Sequence, residues 1–376
     1  MRMTLRENDR EGLEMGKRVT LKDIAQAANV TTATVSYVIN DTPGQKIAPE
    51  TRKRVLRVAR DLHYIPSSAA RALRRKRSGC VGVVAKKNLA VPRFSQTIQG
   101  IQSELERNGL MVLLCTNKMK DNGLSDYLLA YYEGRVDGVI FLGKDNVGPD
   151  DASVERIGSD GVPFVTFDCQ QSSDAFSSVD FDYRGGARLL AERVVERCPR
   201  RVLYVKPQMA TAQEEQRGAG LHDVLDAHPH IELIEVEVPI TLGNLDTWDL
   251  RYSVGITDEG EELTSAFMET ILHASEPLEA GDAVIASWSG WTEPIRQLYR
   301  YRGIITAELA NNGESHFHPD FYTRMPNFDA GVACADELLS RLDGKPVSAR
   351  LLRLTNIVSP PALHDGYPQP AEAGIA

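Results

Sequence analysis

Residues 19–66 read VTLKDIAQAANVTTATVSYVINDTPGQKIAPETRKRVLRVARDLHYIP, and this stretch decides the fold of the amino-terminal part of the chain. Thr20 and Asp23 have the spacing of a capping box, which predicts the start of a helix. Apolar and small residues then recur at the helical period, at Leu21, Ile24, Ala25 and Ala28. An Asn-Val turn follows, and Thr31 predicts the cap of a second helix. Two short helices joined by a brief turn form a helix-turn-helix.

The exposed face of the second helix and a third helix complete this module. Pro49 predicts the start of the third helix, whose apolar side closes a three-helix core. The outward face of the second helix carries small or hydrogen-bonding residues and no carboxylate: Thr32, Ala33, Ser36 and Tyr37. Such a face can lie against base edges in the major groove. The alternative is that small polar residues simply solvate an exposed helix.

The charge of the chain is strongly segregated. Between Lys17 and Arg77 there are 14 Lys and Arg residues against 4 Asp and Glu, a balance of +10, whereas residues 78–376 carry 26 against 44, a balance of -18. A basic module joined to an acidic body is typical of a protein that meets a polyanion with one part only. This balance favours DNA over a merely solvated basic face. The residues predicted to contact phosphates are Lys17, Arg18, Lys22, Arg52 and Arg54.

Residues 67–77, SSAARALRRKR, predict a short helix with a serine cap and one large apolar side chain, Leu73. A helix with so little apolar surface is marginal alone in water. We expect it to fold on docking, with small residues that allow close approach to a second copy of the chain and Leu73 as a wedge. An ordinary linker helix is the alternative. The residues predicted to act in the minor groove are Ser68, Ala69, Arg71, Ala72 and Leu73.

From residue 19 to 85 the sequence resembles the head and hinge of the lactose-repressor and purine-repressor (LacI/GalR) family of transcriptional regulators. The resemblance implies that the positions of Thr32, Ala33 and Tyr37 touch bases. It also implies that Leu73 inserts into the minor groove at the operator centre, where hinge helices of two subunits pair. One departure is Ala48, where the family often has a serine cap before the third helix.

Beyond Gly79 the chain alternates apolar, strand-like runs with helical segments. Eight strands are predicted: 80–85, 110–115, 136–142, 162–167, 201–205, 231–238, 283–287 and 303–306. Continuous apolar strands separated by helices predict doubly wound parallel sheets covered on both faces. The family resemblance implies two subdomains of the periplasmic-binding-protein type, with a ligand cleft between them.

Candidate ligand-binding residues follow from that fold, because ligands of doubly wound sheets bind at the carboxyl ends of the strands. Phe94 follows the first strand, and Asp168 ends the strand at 162–167. Arg217 lies in a segment similar to the Arg-x-x-Gly-Phe/Leu segment of the family, whose arginine binds effector hydroxyls or carboxylates. Surface ion pairs are the alternative for Asp168 and Arg217.

Two departures from the family concern the predicted cleft. The family usually has Ala-Asn-Asp after a strand of the second subdomain, but residues 286–291 read ASWSGW, so Trp288 replaces the acid that commonly holds a sugar hydroxyl. The Gly-Phe/Tyr-Asp-Asp segment is also absent, and residues 305–309 read ITAEL. Paired tryptophans can stack on a sugar or fill the cleft. These departures predict an effector that is larger or more apolar than a small sugar, or a lost effector site.

No catalytic residue, cofactor or metal site is predicted. The Gly-Ala-Gly of residues 218–220 lacks the third glycine of a dinucleotide fingerprint, and SWSG at 287–290 is not a nucleophile elbow. The histidine pairs at 228/230 and 316/318 lack the spacing of metal ligands. Five widely spaced cysteines indicate reduced thiols. Neither a signal peptide nor a membrane span is evident, so we expect a cytoplasmic protein.

The sequence thus predicts an α/β protein with an all-α helix-turn-helix head, which binds a palindromic operator as a homodimer or higher homo-oligomer and responds to a small-molecule effector, with a sugar as one candidate. A transcriptional repressor is the favoured function. The rivals are a solute-binding protein with the same body and a doubly wound enzyme. The predicted domains are an extension (1–18), the head (19–66), the hinge (67–77), the effector and dimerisation body (78–360) and a loose tail (361–376).

Overall fold

A computed structural model describes residues 19–65, 77–85, 88–143, 147–298, 303–312 and 319–358. The chain divides into two compact units, one up to Ser78 and one from Gly79 onward. Several predictions concern residues outside the described ranges: the extension 1–18 with Lys17 and Arg18, the hinge candidates Ser68, Ala69, Arg71, Ala72 and Leu73, and the tail 361–376.

The first unit contains the predicted helix-turn-helix and third helix, which are α1 (Leu21–Ala27), α2 (Thr32–Ile39) and α3 (Pro49–Asp61). The capping box of α1 forms in both directions, because the Thr20 amide donates to Asp23 Oδ2 at 2.7 Å and the Asp23 amide donates to Thr20 Oγ1 at 3.4 Å. No side-chain cap forms at Ala48, as the sequence indicates, and Pro49 supplies the first turn. The side chains that close the core are fully buried: Ile24, Val35 and Val55.

The second unit contains two six-stranded sheets. The strands of the first sheet are, from edge to edge, β11 (Ala349–Leu352), β5 (Ser177–Phe181), β4 (Phe164–Phe167), β3 (Val139–Leu142), β1 (Cys80–Ala85) and β2 (Met111–Cys115). Those of the second are β12 (Thr355–Val358), β10 (Phe321–Arg324), β9 (Ile305–Asn311), β8 (Ala283–Ala286), β6 (Arg201–Pro207) and β7 (Glu232–Val238). All described strand pairs are parallel except β10 with β12.

Helices divide between the two sheets and define two subdomains. The helices of the first subdomain are α4 (Pro92–Arg107), α5 (Asp126–Tyr132), α6 (Asp151–Ser159) and α12 (Asn327–Leu342). Those of the second are α7 (Tyr183–Val195), α8 (Ala212–Leu225), α9 (Leu245–Asp249), α10 (Asp258–Ser275) and α11 (Glu293–Leu298). The chain crosses between the subdomains three times: from β5 to α7, from β10 to α12 and from β11 to β12.

Helices α4 and α12 are far apart in sequence but touch through glycines. A Cβ added at Gly100 would stand 2.0 Å from the backbone oxygen of Phe328, and one added at Gly331 would stand 2.0 Å from that of Thr97. The two backbones therefore approach more closely than any side chain permits. The core of the first subdomain is completed by this contact, since Ile101 and Leu338 from the two helices are fully buried together.

The parallel α/β fold predicted from the sequence is confirmed, and the bounds of several strands are corrected. All eight predicted strands are present, but five begin later than predicted, at Met111, Val139, Phe164, Glu232 and Ile305, because strand pairing in the sheets starts at those residues. Strand β9 extends to Asn311 rather than ending at Thr306. Four short strands were not predicted: β5, β10, β11 and β12.

Two further features of the chain concern membrane-spanning helices and the state of the cysteines. Among the described residues, no helix is long and apolar enough to cross a membrane. All five cysteines are free thiols, as expected, and Cys169 and Cys334 are buried.

Candidate functional site: the recognition face and the cleft

The first unit presents the predicted recognition face on α2. Thr32 and Ala33 are exposed, and the Tyr37 side chain is 37% exposed. Ser36 is partly buried, and its hydroxyl accepts a hydrogen bond from Asn40 Nδ2 at 3.4 Å. Thr32 and Ser36, Ala33 and Ser36, and Ala33 and Tyr37 are three or four positions apart, so the four residues lie on neighbouring parts of one side of the helix. The side chains of α2 that face the core of the three-helix unit, Val35 and Val38, are apolar.

The predicted phosphate contacts differ in how they are held. Lys22 is exposed at the start of α1. Arg52 forms an ion pair with Asp41 at 2.6 Å, and Arg54 donates from Nε to the backbone oxygen of Ala28 at 3.0 Å. Arg54 therefore helps to satisfy the carboxyl end of α1. Both arginines are pre-oriented by these contacts, and each guanidinium has further N–H groups with which it can bind a phosphate.

A cleft between the two subdomains collects three of the four predicted ligand-binding residues. Phe94, Arg217 and Trp288 line it, together with residues of the segment 245–251 and of the crossover that precedes α12. The space between its walls amounts to about 730 Å³, counted out to the open mouth. The position agrees with the expectation for doubly wound sheets, since β1, β8 and β9 all end at this face.

Asp168, the fourth candidate, supports the cleft without lining it. The residue is 2% exposed and adopts a φ of 54° at the end of β4. Its carboxylate accepts from Arg93 Nη2 at 2.6 Å and from the Tyr183 hydroxyl at 2.8 Å. Burial and the neighbouring Asp168 raise the pKa of Tyr183 well above its usual value, so the phenol remains a proton donor. Arg93, which Asp168 orients, does line the cleft.

Arg217 and Trp288 meet at a second buried carboxylate, that of Glu214. The guanidinium of Arg217 donates to Glu214 Oε1, and Trp288 Nε1 donates to the same oxygen at 2.9 Å. Arg217 also lies over the ring of Tyr183, at 4.8 Å from the ring centroid. A continuous network therefore runs from the second subdomain to the first, through the side chains of Trp288, Glu214, Arg217, Tyr183, Asp168 and Arg93.

The three tryptophans of the chain form one aromatic cluster beside the cleft. The rings of Trp288 and Trp291 are 4.9 Å apart, and Trp291 packs against Trp248 at 6.3 Å and against Phe267 at 5.2 Å. Trp248 and Trp291 are 4% and 2% exposed, whereas Trp288 is only partly buried. The first two belong to the core of the second subdomain. All three line the cleft, and Trp288 is the most exposed of them.

Several buried polar atoms around this cleft have no hydrogen-bond partner within the described part of the chain. They are Arg217 Nε, Glu214 Oε2, Ser289 Oγ, Trp248 Nε1 and Trp291 Nε1. A buried donor or acceptor left unsatisfied costs about 1–3 kcal/mol. Such a concentration of unsatisfied groups is typical of a site that is completed by a ligand or by ordered water.

Sequence reasoning missed four participants in this site: Arg93, Tyr183, Glu214 and Trp248. Arg93 is adjacent to the predicted Phe94, and the small number of tryptophans is a signal that could have drawn attention to Trp248. Nothing in the local sequence distinguishes Tyr183 or Glu214 from an ordinary helical residue, because their partners lie on other elements of the fold.

Comparison with family models identifies the kind of domain that forms the second unit. Residues 81–307, more than half of the chain, match the family model of the periplasmic binding protein domain. Residues 20–67 match the model of bacterial regulatory proteins of the lacI family. The chain therefore belongs to the periplasmic binding protein domain family over its body, and it joins that body to a helix-turn-helix segment of the lacI family, as its sequence indicates.

Two curated relatives also match the chain. Catabolite control protein A of Staphylococcus xylosus is 30% identical over 220 residues, which cover 58% of this chain and 64% of that one. The ribose operon repressor of Halalkalibacterium halodurans is 24% identical and covers 87% and 92% of the two chains. The match spans 59% to 64% of the length of the first three curated relatives.

Two solved structures share the fold at low identity. A lac repressor dimer bound to operator and the anti-inducer ONPF has a TM-score of 0.68 at 22% identity, over 91% of this chain and 98% of that chain. The complex of the regulator CelR with cellobiose has a TM-score of 0.54 at 21% identity, over 91% and 99%. At these identities the likeness concerns the fold alone.

Proposed function

We propose that the chain is a sequence-specific DNA-binding regulator, a repressor, which binds a palindromic operator as a dimer and whose affinity for DNA changes when a small molecule occupies the cleft. The observation that carries this proposal is the presence of an exposed recognition face on a basic three-helix unit in the same chain as a cleft with unsatisfied polar groups. A protein with this function acts on DNA in the cytoplasm.

For the DNA-binding half, we propose that Thr32, Ala33, Ser36 and Tyr37 contact bases. Tyr37 has the longest reach of the four, so it supplies either a hydrogen bond from its hydroxyl or packing against a thymine methyl group. Lys17, Arg18, Lys22, Arg52 and Arg54 contact phosphates in this proposal, and Ser68, Ala69, Arg71, Ala72 and Leu73 act in the minor groove. A solved relative, the lac repressor, is a dimer on its operator.

For the cleft, we propose that Phe94, Arg217 and Trp288 contact the effector and that Asp168 acts through Arg93. The cationic groups Arg93 and Arg217 are already neutralised by buried carboxylates, with Arg93 Nη2 2.6 Å from Asp168. An uncharged, hydroxylated ligand suits such a site better than a phosphate or a carboxylate does, because it leaves both ion pairs intact. A carbohydrate with an apolar face against Trp288 is the chemistry to test first.

The two rival functions have weaker support. A solute-binding protein has no use for the basic helix-turn-helix, and the relatives matched here are named as regulators. A doubly wound enzyme requires a nucleophile, a cofactor loop or a metal centre beside the cleft. The groups that line the cleft include arginines, indoles, amide side chains and Asp249, which bind ligands by hydrogen bonding and stacking.

The proposal is tested by selecting bound sequences from random double-stranded DNA with the full chain and with the variant Tyr37→His. We expect a palindromic site for both proteins and a changed base preference at one symmetric pair of positions for the variant. The expected discrimination is about 1–3 kcal/mol. The binding titrations are then repeated with cellobiose, ribose and a series of neutral oligosaccharides to identify ligands that change operator affinity.

Two results would contradict the proposal. An asymmetric selected site would refute the dimeric readout, and identical sites for the parent and Tyr37→His would refute the assignment of α2 as the recognition helix. A matched control is Tyr64→His, since Tyr64 packs against the core of the same unit outside α2 and changes no proposed base contact.

A further inference from the structure

Glu308 is a buried carboxylate in the middle of an apolar strand. It is 1% exposed in β9, where it pairs in register with Ala286, the last residue of β8. Its neighbours Ala307 and Leu309 are also buried. Burying a carboxylate is unfavourable unless hydrogen bonds compensate for the lost water. Burial accordingly raises the pKa of Glu308 above its usual value, although four hydrogen bonds oppose the shift.

One oxygen of Glu308 holds the turn that carries the tryptophans. We call residues 287–292, which follow β8, the tryptophan turn. Glu308 Oε1 accepts from the Gly290 amide at 3.0 Å, from the Thr292 hydroxyl at 2.8 Å and from the Thr292 amide at 3.4 Å. Gly290 has a φ of 79°, in the left-handed region that favours glycine. Trp291 lies between the two residues that Glu308 binds, and Trp288 lies two positions before Gly290.

The other oxygen of Glu308 holds the end of its own strand. Glu308 Oε2 accepts from Asn311 Nδ2 at 3.0 Å. The next residue, Asn312, lines the cleft and binds the first subdomain, since its backbone oxygen accepts from Gln96 Nε2 at 3.2 Å and its side-chain oxygen accepts from Asn327 Nδ2 at 3.0 Å. One carboxylate thus connects two segments that form the wall of the cleft.

The tryptophan turn has other anchors besides Glu308. Trp288 donates to Glu214 on α8, but this bond fixes only one side chain, whereas Glu308 binds the backbone of the turn at two residues. Ser287, the first residue of the turn, is held by the backbone oxygen of Val205 and by the Tyr204 hydroxyl. Glu308 is therefore the side chain that holds the later part of the turn, around Gly290 and Thr292. Removing it would leave the Thr292 donors, which are buried, without their acceptor.

We propose that Glu308 is a positioning residue of the effector cleft, which sets the placement of Trp288 and Trp291 through the backbone of the tryptophan turn. This inference rests on the proposed function, since it concerns the cleft assigned to the effector. Its ligand-free test uses neither DNA nor an effector, so its failure is distinguishable from a failure of the proposed function. The chain has three tryptophans, all in the aromatic cluster, so every tryptophan signal reports on this region.

The experiment compares the full chain with Glu308→Ala, Glu308→Gln and the double variant Glu308→Gln/Asn311→Asp, by circular dichroism of the tryptophans and by acrylamide quenching of their fluorescence. For Glu308→Ala we expect loss of the Trp288–Trp291 exciton signal and increased quenching, because the turn loses three hydrogen bonds. Glu308→Gln retains the oxygen that binds the turn, but its new N–H₂ group faces the N–H₂ group of Asn311, and two donors cannot bind each other. We therefore expect a partial loss of the exciton signal. The double variant restores an acceptor at position 311 and should recover the parent signal.

The control is Asp282→Asn, which alters a fully buried carboxylate of the same subdomain. Asp282 accepts from the amides of Arg201 and Glu279 at the opposite ends of the strands, away from the cleft. We expect it to lower the unfolding midpoint without altering the tryptophan signals. The proposal is overturned if Glu308→Gln and Glu308→Ala both retain the parent exciton signal and quenching, or if Asp282→Asn alters them equally.

Discussion

Tyr183 stands where the chain first crosses between the subdomains, and two kinds of contact depend on it. Its hydroxyl donates to Asp168 at 2.8 Å, while its ring lies under the guanidinium of Arg217. The variant Tyr183→Phe retains the ring and removes one donor from a buried carboxylate. Because a hydrogen bond to a charged group contributes about 1.5–3 kcal/mol, we expect a loss of that size in the free energy of unfolding, measured by urea titration.

Tyr204→Phe is the matched control for this prediction. Tyr204 is as deeply buried as Tyr183, but its hydroxyl shares a hydrogen bond with the Ser287 hydroxyl at 2.9 Å, between two neutral groups. We expect this variant to lose only about 0.5–1.5 kcal/mol. Equal losses for the two variants would show that the charge of Asp168 contributes nothing through Tyr183.

Asp180 provides a prediction about pH. Burial raises its pKa to about 6, although the Gln170 amide, which donates to Oδ1 at 2.9 Å, partly opposes the shift. A carboxyl whose pKa is raised on folding stabilises the fold fully below its unfolded pKa of 3.8, and this contribution is lost as the pH rises through about 6. Asn at this position does not titrate. The stability of Asp180→Asn relative to the parent should therefore increase between pH 4 and pH 7, in paired urea titrations.

A relative stability of Asp180→Asn that stays constant or decreases over this interval would contradict the direction of the shift. The consequence extends to the contact between the subdomains, because Gln170 also accepts from Gln216 Nε2 of the second subdomain at 2.7 Å. Asp180 thus lies one hydrogen bond away from a contact between the subdomains.

At the scale of elements, the close crossing of α4 and α12 predicts that a side chain added at Gly100 destabilises the fold. Gly100→Ala would place a Cβ 2.0 Å from the Phe328 carbonyl oxygen, so the helices must separate. Overpacking of this kind costs about 1–3 kcal/mol. Gly218→Ala in α8 is the control, since a Cβ there meets nothing within 4 Å. It should stabilise the chain by roughly 0.5–1 kcal/mol through helix propensity. Thermal unfolding of both variants measures the difference, and a stable Gly100→Ala protein would refute the close crossing.

The elements that the sequence predicted are those with a local signal. The central strands are continuous apolar runs, and the capping box, the Asn-Val turn and Pro49 mark the helices of the first unit. Strands β10, β11 and β12 are four residues each, and β11 and β12 lie at sheet edges with exposed side chains, so no apolar run marks them. Strand β5 begins with two serines, whose burial follows from pairing with distant strands.

The cleft could be predicted only in part, for a related reason. Strand ends and the family resemblance indicate Phe94, Arg217 and Trp288, because the fold class alone determines which loops meet. The hydrogen-bond partners that orient these residues come from other elements. The sequence around Glu308 gives no reason for a carboxylate in an apolar strand, because its partners lie in the tryptophan turn. Such partners are set by tertiary packing rather than by any pattern in the neighbouring sequence.

At the scale of the whole molecule, the segregated charge predicts a steep salt dependence of DNA binding. Each phosphate neutralised by a cation contributes a slope of roughly -0.9 in log K against log salt, through counterion release. The exposed Lys22 should contribute one such contact, so Lys22→Gln should reduce the slope by about 1 without changing the selected sequence. The control is Lys120→Gln in the acidic body, where Lys120 pairs with Asp126 at 2.8 Å. Fluorescence anisotropy at several salt concentrations provides the measurement.

Two results would contradict the assignment of DNA binding to the basic unit. One is a slope near zero for the parent chain. The other is an unchanged slope for Lys22→Gln together with a reduced slope for Lys120→Gln. The charge balance of -18 over residues 78–376 means that the body is repelled by DNA phosphates. In the proposed function, repulsion between that body and the phosphates would direct encounters with DNA toward the basic unit.

The threefold crossing of the chain has a consequence for its synthesis. Helix α12 completes the first subdomain, yet Gly331 follows its contact Gly100 by 231 positions. At translation rates of about 5–20 residues per second, the ribosome needs roughly 10–50 s to span that distance. Throughout that time the nascent first subdomain lacks a core helix and exposes the apolar face of α4. A chain that ends before α12 should therefore leave this face of α4 uncovered.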